Sequence, residues 1–411
     1  MCGIAGLFDV SGHTSFDGDL LARMNQTQFH RGPDEGGVFV EPGIALAHRR
    51  LSIIDISSGQ QPMHSADGKL VIVYNCEIYN FPALAHELKQ RGYEFRTHCD
   101  TEVILYAWQE WGEACVDHFR GMFAFALYDK NRKSVFLARD RLGIKPLFYS
   151  LLNDNTLVFG SELKALKAHP RLSRSLEPQA VEDYFCLGYI PEPKTIYQGV
   201  YKLRPGHTIL LERGKSVPDQ REYWDVPFQP VATGSPIELC EELYARMREA
   251  VDIRMVAEVP LGAFLSGGVD SSAVVAAMAQ LQQEPVHTCA IGFDVPQFNE
   301  TDFARQVAQR YSTDHFERTV ASDDFDLLDT LAGLYDEPYA DSSAIPTYRV
   351  CQLARERVVV ALSGDGGDET LAGYRRYALD RLLDPYGNLP DWITQKAIPA
   401  SISFLPEPGW I

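Results

Sequence analysis

Short, largely apolar runs dominate the first half of the chain. They are LVIVYN from Leu70, MFAFALYD from Met122, SVFLARD from Ser134 and TLVFGSE from Thr156, with turn formers such as Asp129-Lys130-Asn131 between them. Apolar runs of such lengths, bounded by turn residues, predict strands joined antiparallel. Apolar residues at helical spacing predict helices over about 81–91 and 101–111. An acidic helix follows Ser161, then the proline-rich turn Tyr189-Ile190-Pro191-Glu192-Pro193, and a further strand follows Tyr201–His207. Antiparallel sheets layered between helices, an α+β arrangement, account for this half. From Ile237 the pattern changes to a helix reaching about Ala257, an apolar run at 259–265, a helix in SSAVVAAMAQ, a strand at 286–291, a helix at 301–311, a strand at 315–320, a helix at 323–334 and a strand at 357–362. Short apolar strands alternating with helices predict a parallel-sheet α/β domain that binds ligands at the strands' carboxyl ends. Residues 214–236, with several Pro, Gly and Ser, read as a linker, dividing the chain into domains 2–213 and 237–411.

A length of 411 residues fits two domains, with room for the start of a third, and 45% hydrophobic residues supply sizeable cores. The net charge of −18 argues against nucleic acid or an anionic membrane as partner. Eight cysteines form no CxxC pair or metal-ligand rhythm, which points to a reducing cytoplasm. No run approaches the ~20 apolar residues of a membrane span, and the start lacks the basic and apolar regions of a signal peptide.

Two stretches carry candidate chemistry. Ser266-Gly267-Gly268-Val269-Asp270-Ser271-Ser272 joins a strand to a helix. Backbone N–H groups at such a helix start form an anion site. Ser271 and Ser272 add hydroxyls, and Asp270 suits a divalent metal held against phosphate oxygens. The lysine of a Walker loop is absent, and a glycine-serine turn alone is as often an ordinary connection. At the N-terminus, removal of Met1 would leave the Cys2 thiol beside its own α-amine. Their reference pKa values, about 8.5 and roughly 7.7–8.0, let the amine serve as general base for the nucleophile. A lone cysteine at a terminus is more often incidental.

Cys2 keeps specific company, however: His30-Arg31-Gly32-Pro33-Asp34, Ala47–Asp55, Tyr74-Asn75-Cys76-Glu77-Ile78-Tyr79-Asn80 and Cys99-Asp100-Thr101-Glu102. In this order and spacing they resemble the class II glutamine amidotransferase domain, an N-terminal-nucleophile (Ntn) hydrolase built as an αββα sandwich, over about the first half of the chain. The resemblance implies Cys2 as nucleophile, Arg50 for the glutamine carboxylate, Asp100 for its ammonium, and Asn75 with the backbone N–H of Cys76 as oxyanion donors. The family usually has glycine where Cys76 stands, so a Cβ is expected to crowd the substrate or restrict the backbone.

SGGVDSS resembles the pyrophosphate loop of the ATP pyrophosphatases. Together with Asp341–Thr347 and Ser363-Gly364-Asp365-Gly366-Gly367-Asp368-Glu369, followed by Ala372-Gly373-Tyr374, it resembles glutamine-hydrolysing asparagine synthetase. The resemblance implies an ATP pocket lined by Leu265, Ser266, Gly267, Gly268, Asp270, Ser271, Ser272, Ile291, Ser363 and Gly364. It implies a catalytic acid at Asp365, an acceptor site at Ser342, Ser343 and Asp368, and Mg²⁺ at Asp270 and Asp368. The partners implied are L-glutamine, ATP and a carboxylate acceptor best matched by the β-carboxylate of L-aspartate, with a homodimer as the family expectation. A related ligase for another acid, a glutaminase-only hydrolase and a non-catalytic regulatory protein are the alternatives. Synthetases of this family continue well beyond the Gly373-Tyr374 motif into a segment rich in lysine and arginine. No match to it follows Leu389-Pro390, up to Phe404–Pro408 and Trp410-Ile411. The expectation is glutaminase activity with little amide formation unless a second polypeptide completes the site.

Overall fold

In the computed structural model of the protein the described residues are 1–12, 14–216, 218–228, 233–295, 297, 299–320, 325–379, 381, 389–390 and 392–402. The first half contains strands β1 (Gly3–Asp9), β2 (Glu35–Glu41), β3 (Ile44–Arg50), β4 (Met63–His64), β5 (Leu70–Ile78), β6 (Gly121–Asp129), β7 (Ser134–Arg139), β8 (Phe148–Leu151), β9 (Thr156–Gly160), β10 (Val200–Lys202), β11 (His207–Glu212) and β12 (Arg221–Glu222). Its helices are α1 (Gly18–Gln26), α2 (Phe81–Gln90), α3 (Asp100–Trp111), α4 (Leu163–Lys167) and α5 (Pro178–Leu187).

The strands form two six-stranded sheets, ordered β10-β8-β9-β1-β3-β2 and β12-β11-β7-β6-β5-β4. Side-chain parity decides how these sheets stack, because successive residues of a strand face opposite ways. On β5, Val71 and Val73 face the other sheet and join Ile4, Phe8, Leu46, Leu137 and Phe159 in a shared core. Ile72 and Tyr74 face outward and bury Leu84 and Leu88 of α2 with Val103, Leu105 and Trp108 of α3. The first sheet likewise turns Ala5, Leu7, Ala47 and Val158 toward Leu21 and Met24 of α1 and Leu163 and Leu166 of α4. The result is four layers in the order α, β, β, α. β1 is threaded through the middle of its sheet, which fixes the N-terminus against the rest of the domain.

The second half carries α6 (Pro236–Asp252), β13 (Leu261–Phe264), α7 (Val269–Leu281), β14 (His287–Phe293), α8 (Thr301–Tyr311), β15 (Asp314–Val320), α9 (Leu328–Leu334), α10 (Ala344–Arg355), β16 (Val360–Leu362) and α11 (Gly367–Leu371). A capping box between Ser235 and Glu238 starts α6, satisfying N–H groups that a helix start leaves unpaired. The sheet order is β15-β14-β13-β16 with every pairing parallel. The chain moves outward from β13 to β15 and then returns to add β16 on the opposite flank. A topological switch point therefore falls between β13 and β16, where α/β sheets bind ligands.

The predicted strands and helices of both halves are present, with end shifts of a few residues. Strands β1 to β4, β8, β10 and β12 and helices α1, α4, α10 and α11 were not anticipated. Of the expected helix at 323–334, the first two residues lie outside the described residues, and the rest is a tight turn at Phe325–Leu327 followed by α9. The proline-containing run at 404–408 and Trp410-Ile411 also lie outside them. Cys2, Cys99, Cys115, Cys186, Cys240, Cys289 and Cys351 are free thiols. Among the described residues no helix is long and apolar enough to cross a membrane.

Phe159 is fully buried between the sheets, and its ring rests where a Cβ on Gly6 of β1 would stand. Phe159→Ala should lower the unfolding free energy by about 3–5 kcal/mol through lost burial and the cavity left behind. The check is the urea midpoint, and an unchanged midpoint contradicts a tightly packed inter-sheet core.

Candidate active sites

The N-terminal site is built at one end of the two sheets. The Cys2 thiol, half-buried, donates weakly to the Leu51 carbonyl at 3.8 Å. Burial pushes this thiol above its ordinary value, against the pull of the terminal amine, Arg50 and Arg31. Arg31 Nε donates to the Cys2 carbonyl at 2.8 Å, so the residue bearing the thiol is held by its own backbone. His48 of β3 donates from Nε2 to the Tyr74 carbonyl of β5 at 2.9 Å, tying the sheets together beside the site. Burial lowers that imidazole to about 3, which keeps it neutral.

On β5, Asn75 and Glu77 share one face. Asn75 is fully buried, yet neither its Nδ2 nor its Oδ1 has a hydrogen-bond partner. A buried amide without partners is expensive, and native proteins keep one where a ligand completes it. Cys76 lies in register opposite Phe123 of β6, and its side chain is outside what the structure describes. Asp100, in the first turn of α3, is buried and accepts from Tyr74 Oη at 2.8 Å and the Ile78 N–H at 3.1 Å. Burial raises its pKa. Glu77 is pushed up to about 7, first by burial and then by the charge of Asp100, with Lys145, the terminal amine and Arg254 opposing. Two neighbouring carboxyls, both disfavoured as anions, make a place that welcomes a cation.

Arg50 is buried, and its guanidinium caps carbonyls of the following loop: Ile54 at 3.2 Å, Asp55 at 2.7 Å and Ile56 at 3.1 Å, with Glu35 at 3.1 Å. It anchors this loop at the site rather than standing free. Sequence reasoning brought together Cys2, Arg50, Asn75, Cys76 and Asp100, and it missed Arg31 and Glu77 as participants. The signal for Glu77 was its place two residues beyond Asn75 on one strand, hence on the same face.

The second site lies at the switch point. Gly267 sits at φ +88°, and a Cβ there would meet the Ala304 nitrogen at 2.6 Å, so only glycine lets the loop pass α8. Ser266 and Ser271 share a hydrogen bond of 2.9 Å across the turn, and α7 begins at Val269 with no side-chain cap at its start. The loop after β16 closes on this one. A Cβ on Gly364 would meet the Ser271 nitrogen at 2.7 Å, and one on Gly367 would meet the Asp270 carboxylate oxygens at 2.5 and 2.7 Å. Ser363 Oγ donates to Asp365 at 2.9 Å. A cavity of about 230 Å³ beside the loops is lined by Leu265, Ser266 and Ile291 together with Pro346 and Thr347 of α10. Ser342 and Ser343 lead into α10, turned by Asp341, which accepts the Ser343 N–H at 2.8 Å. A larger cavity, about 480 Å³, between α2 and residues 256–258 contains none of the predicted site residues.

Among the described residues no three His, Cys, Asp or Glu side chains converge as a protein-only metal cage. Magnesium is usually held by one or two carboxylates and substrate phosphates. Asp270, packed against the glycines of the Asp368 loop, fits that donor set.

Residues 1–224 match the family model for the glutamine amidotransferase domain, and residues 242–404 match that for asparagine synthase. A putative asparagine synthetase (glutamine-hydrolysing) 2 of Methanocaldococcus jannaschii is 37% identical, over 96% of this chain and 79% of that protein. Asparagine synthetase (glutamine-hydrolysing) 1 of Bacillus subtilis is 35% identical, over 95% of this chain and 61% of that one. The chain therefore spans less than two thirds of the Bacillus relative's length. A solved glutamine phosphoribosylpyrophosphate amidotransferase from B. subtilis covers 82% of this chain and 94% of its own at 13% identity and a TM-score of 0.42, too distant to argue from. With both family models matched in chain order, and relatives similar along nearly its whole length, this chain belongs to the glutamine-hydrolysing asparagine synthetase family.

Proposed function

We propose that this protein is an ATP-dependent ligase that takes ammonia from glutamine and amidates a carboxylate, with the β-carboxylate of L-aspartate as acceptor. The observation that carries the reading is the pairing of an unpartnered, buried Asn75 beside a held N-terminal cysteine with two glycine-rich loops that close on Asp270 at a switch point. Residues 2–213 form the glutaminase, 214–236 the connection and 237–411 the synthetase part. The setting is cytoplasmic.

After loss of Met1, the Cys2 α-amine takes the thiol proton and the thiolate attacks the amide carbon of glutamine. Asn75 Nδ2 and the Cys76 N–H hold the oxyanion that forms, donors of a kind worth about 10²–10³ in rate. The ammonium of glutamine sits between Asp100 and Glu77, and its carboxylate meets Arg50. The tetrahedral species collapses, ammonia departs with the amine's proton, and water cleaves the thioester to glutamate. At the second site the acceptor carboxylate, held by Ser342, Ser343 and Asp368, attacks the α-phosphorus of ATP, and pyrophosphate leaves toward the Ser266–Ser272 loop. Asp365 supports adenylate formation. Ammonia then attacks the acyl carbon and AMP departs, giving the amide. Magnesium, when bound by Asp270 and Asp368, neutralises phosphate charge.

Cys2→Ala should abolish glutamate release from glutamine while leaving ammonia-dependent pyrophosphate release in place. Asp270→Asn should do the reverse. Glutamate and pyrophosphate assays on both variants check this, and undiminished glutamate release by Cys2→Ala overturns the nucleophile. Glutamate without ATP-dependent pyrophosphate from the unmodified chain would instead mark a hydrolase.

The empty glutaminase pocket should also be pH-sensitive. Because folding raises the Glu77 carboxyl to about 7, the folded state holds its proton more tightly than the unfolded chain. That stabilisation is present at low pH and is lost as pH rises through about 7. Urea midpoints from pH 5 to pH 8 should therefore fall more steeply in the wild type than in Glu77→Gln. Parallel slopes would show that Glu77 is not perturbed.

A further inference from the structure

The glutaminase nucleophile is joined to the second half of the chain by an unbroken run of charged contacts. Arg31 grips the Cys2 carbonyl with Nε, and its Nη1 donates to Glu162 Oε1 at 3.0 Å. The other oxygen of Glu162 takes Lys164 Nζ at 2.8 Å. Lys164 Nζ then reaches across to Asp336 Oδ1 at 3.2 Å and donates to the Leu334 carbonyl at 2.9 Å, while its backbone N–H donates to Asp336 Oδ2 at 3.3 Å. Leu334 ends α9, and the acceptor motif Asp341-Ser342-Ser343 lies just beyond it. The same segment is stitched down twice more. Glu337 pairs with Lys202 at 2.7 Å and accepts the Ile196 N–H at 2.8 Å, and the Ala340 N–H donates to Gly188 at 2.9 Å.

These links are sheltered from solvent. Side-chain exposure is 8% for Arg31, 12% for Glu162, 20% for Lys164 and 11% for Asp336. Pairs so placed are little screened, and breaking one leaves a charge in a poor environment. Burial works against ionisation of Glu162, but hydrogen bonds from His30, Lys164 and Arg31 outweigh it and hold the carboxyl at about 2. Glu162 divides its two oxygens between the glutaminase side and Lys164. A shift of Lys164 toward Asp336 thus loosens one oxygen and tightens Arg31 on the other.

We propose that Lys164 is a positioning residue that couples the 334–343 segment to Cys2, so that filling the synthetase site changes the reactivity of the glutaminase thiol. The proposal rests on the synthetase reading above. Occupation of Ser342 and Ser343 pulls on the segment that Asp336 shares, Lys164 follows, and the Glu162–Arg31 pair re-aims the Cys2 backbone. A continuous packed network of this kind is a route by which two sites can be coupled without contact between their ligands.

The test is the rate at which 6-diazo-5-oxo-L-norleucine, a glutamine analogue, alkylates Cys2 in the full chain, followed by intact mass. It is measured with and without Mg-ATP plus aspartate, with pyrophosphate assayed in the same samples. The wild-type rate should change by about fivefold or more when both ligands are added, the low end of typical site coupling. Lys164→Met and Asp336→Asn should lose the response to the ligands, and Lys164→Arg should keep it. A Lys164→Met protein that responds like the wild type overturns the proposal. So does a wild type that releases pyrophosphate with no change in alkylation. If the wild type releases no pyrophosphate at all, the synthetase reading has failed and the coupling falls with it.

Discussion

The rest of this structure depends on one buried carboxylate, that of Glu162. Ionised and largely enclosed, it is tolerable only because His30 and Arg31 share one oxygen and Lys164 holds the other. That requirement places Arg31 where its Nε must find an acceptor, and the acceptor is the carbonyl of Cys2. The proposed nucleophile is therefore held through its backbone, leaving the thiol and the amine for the proposed chemistry. β1, central in its sheet, supplies the rigid lever behind it. A nucleophile on a fraying terminus would spend little time aligned, and reaction rates fall steeply with misplacement.

The second site meets a different constraint. Parallel strands end at one edge, and only a switch in strand order opens a crevice there. β16 creates that crevice by returning beside β13, and both glycine-rich loops leave the sheet at this point. Their mutual contact is permitted by missing side chains at Gly364 and Gly367, which let Asp270 lie against the opposing loop. Free ammonia at neutral pH is mostly protonated and inert, which is the physical reason to join its source and its consumer in one chain.

Much of this was legible in the residue pattern, and the exceptions have physical causes. β5 and β6 announced themselves as apolar runs bounded by turn residues, and β13 to β16 as short apolar runs between helices. β1 was hidden because its two glycines, Gly3 and Gly6, interrupt the apolar run. α10 was hidden because Pro346 in its first turn reads as a breaker, although a proline there is harmless. The motif residues Cys2, Asn75, Asp100 and Asp270 were visible as strings. The Arg31–Glu162 pair was not, since its partners are 131 positions apart and meet only once β9, β1, β3 and β2 are assembled in one sheet. The perturbed carboxyl of Glu77 arises from burial and from Asp100 together, and neither is written in local sequence. The motif marked Arg50 for the glutamine carboxylate, and its further grip on the 54–56 carbonyls became apparent only in the folded loop.

The central claim is that ammonia made at Cys2 is consumed at the Asp270 site of the same protein. The direct measurement supplies glutamine labelled with nitrogen-15 in its amide, together with Mg-ATP, aspartate and an excess of unlabelled ammonium. The isotope content of the amide product is then read by mass spectrometry. The account predicts that the product retains most of the label despite the unlabelled pool. An amide whose label is diluted to the bulk ammonium ratio would contradict it.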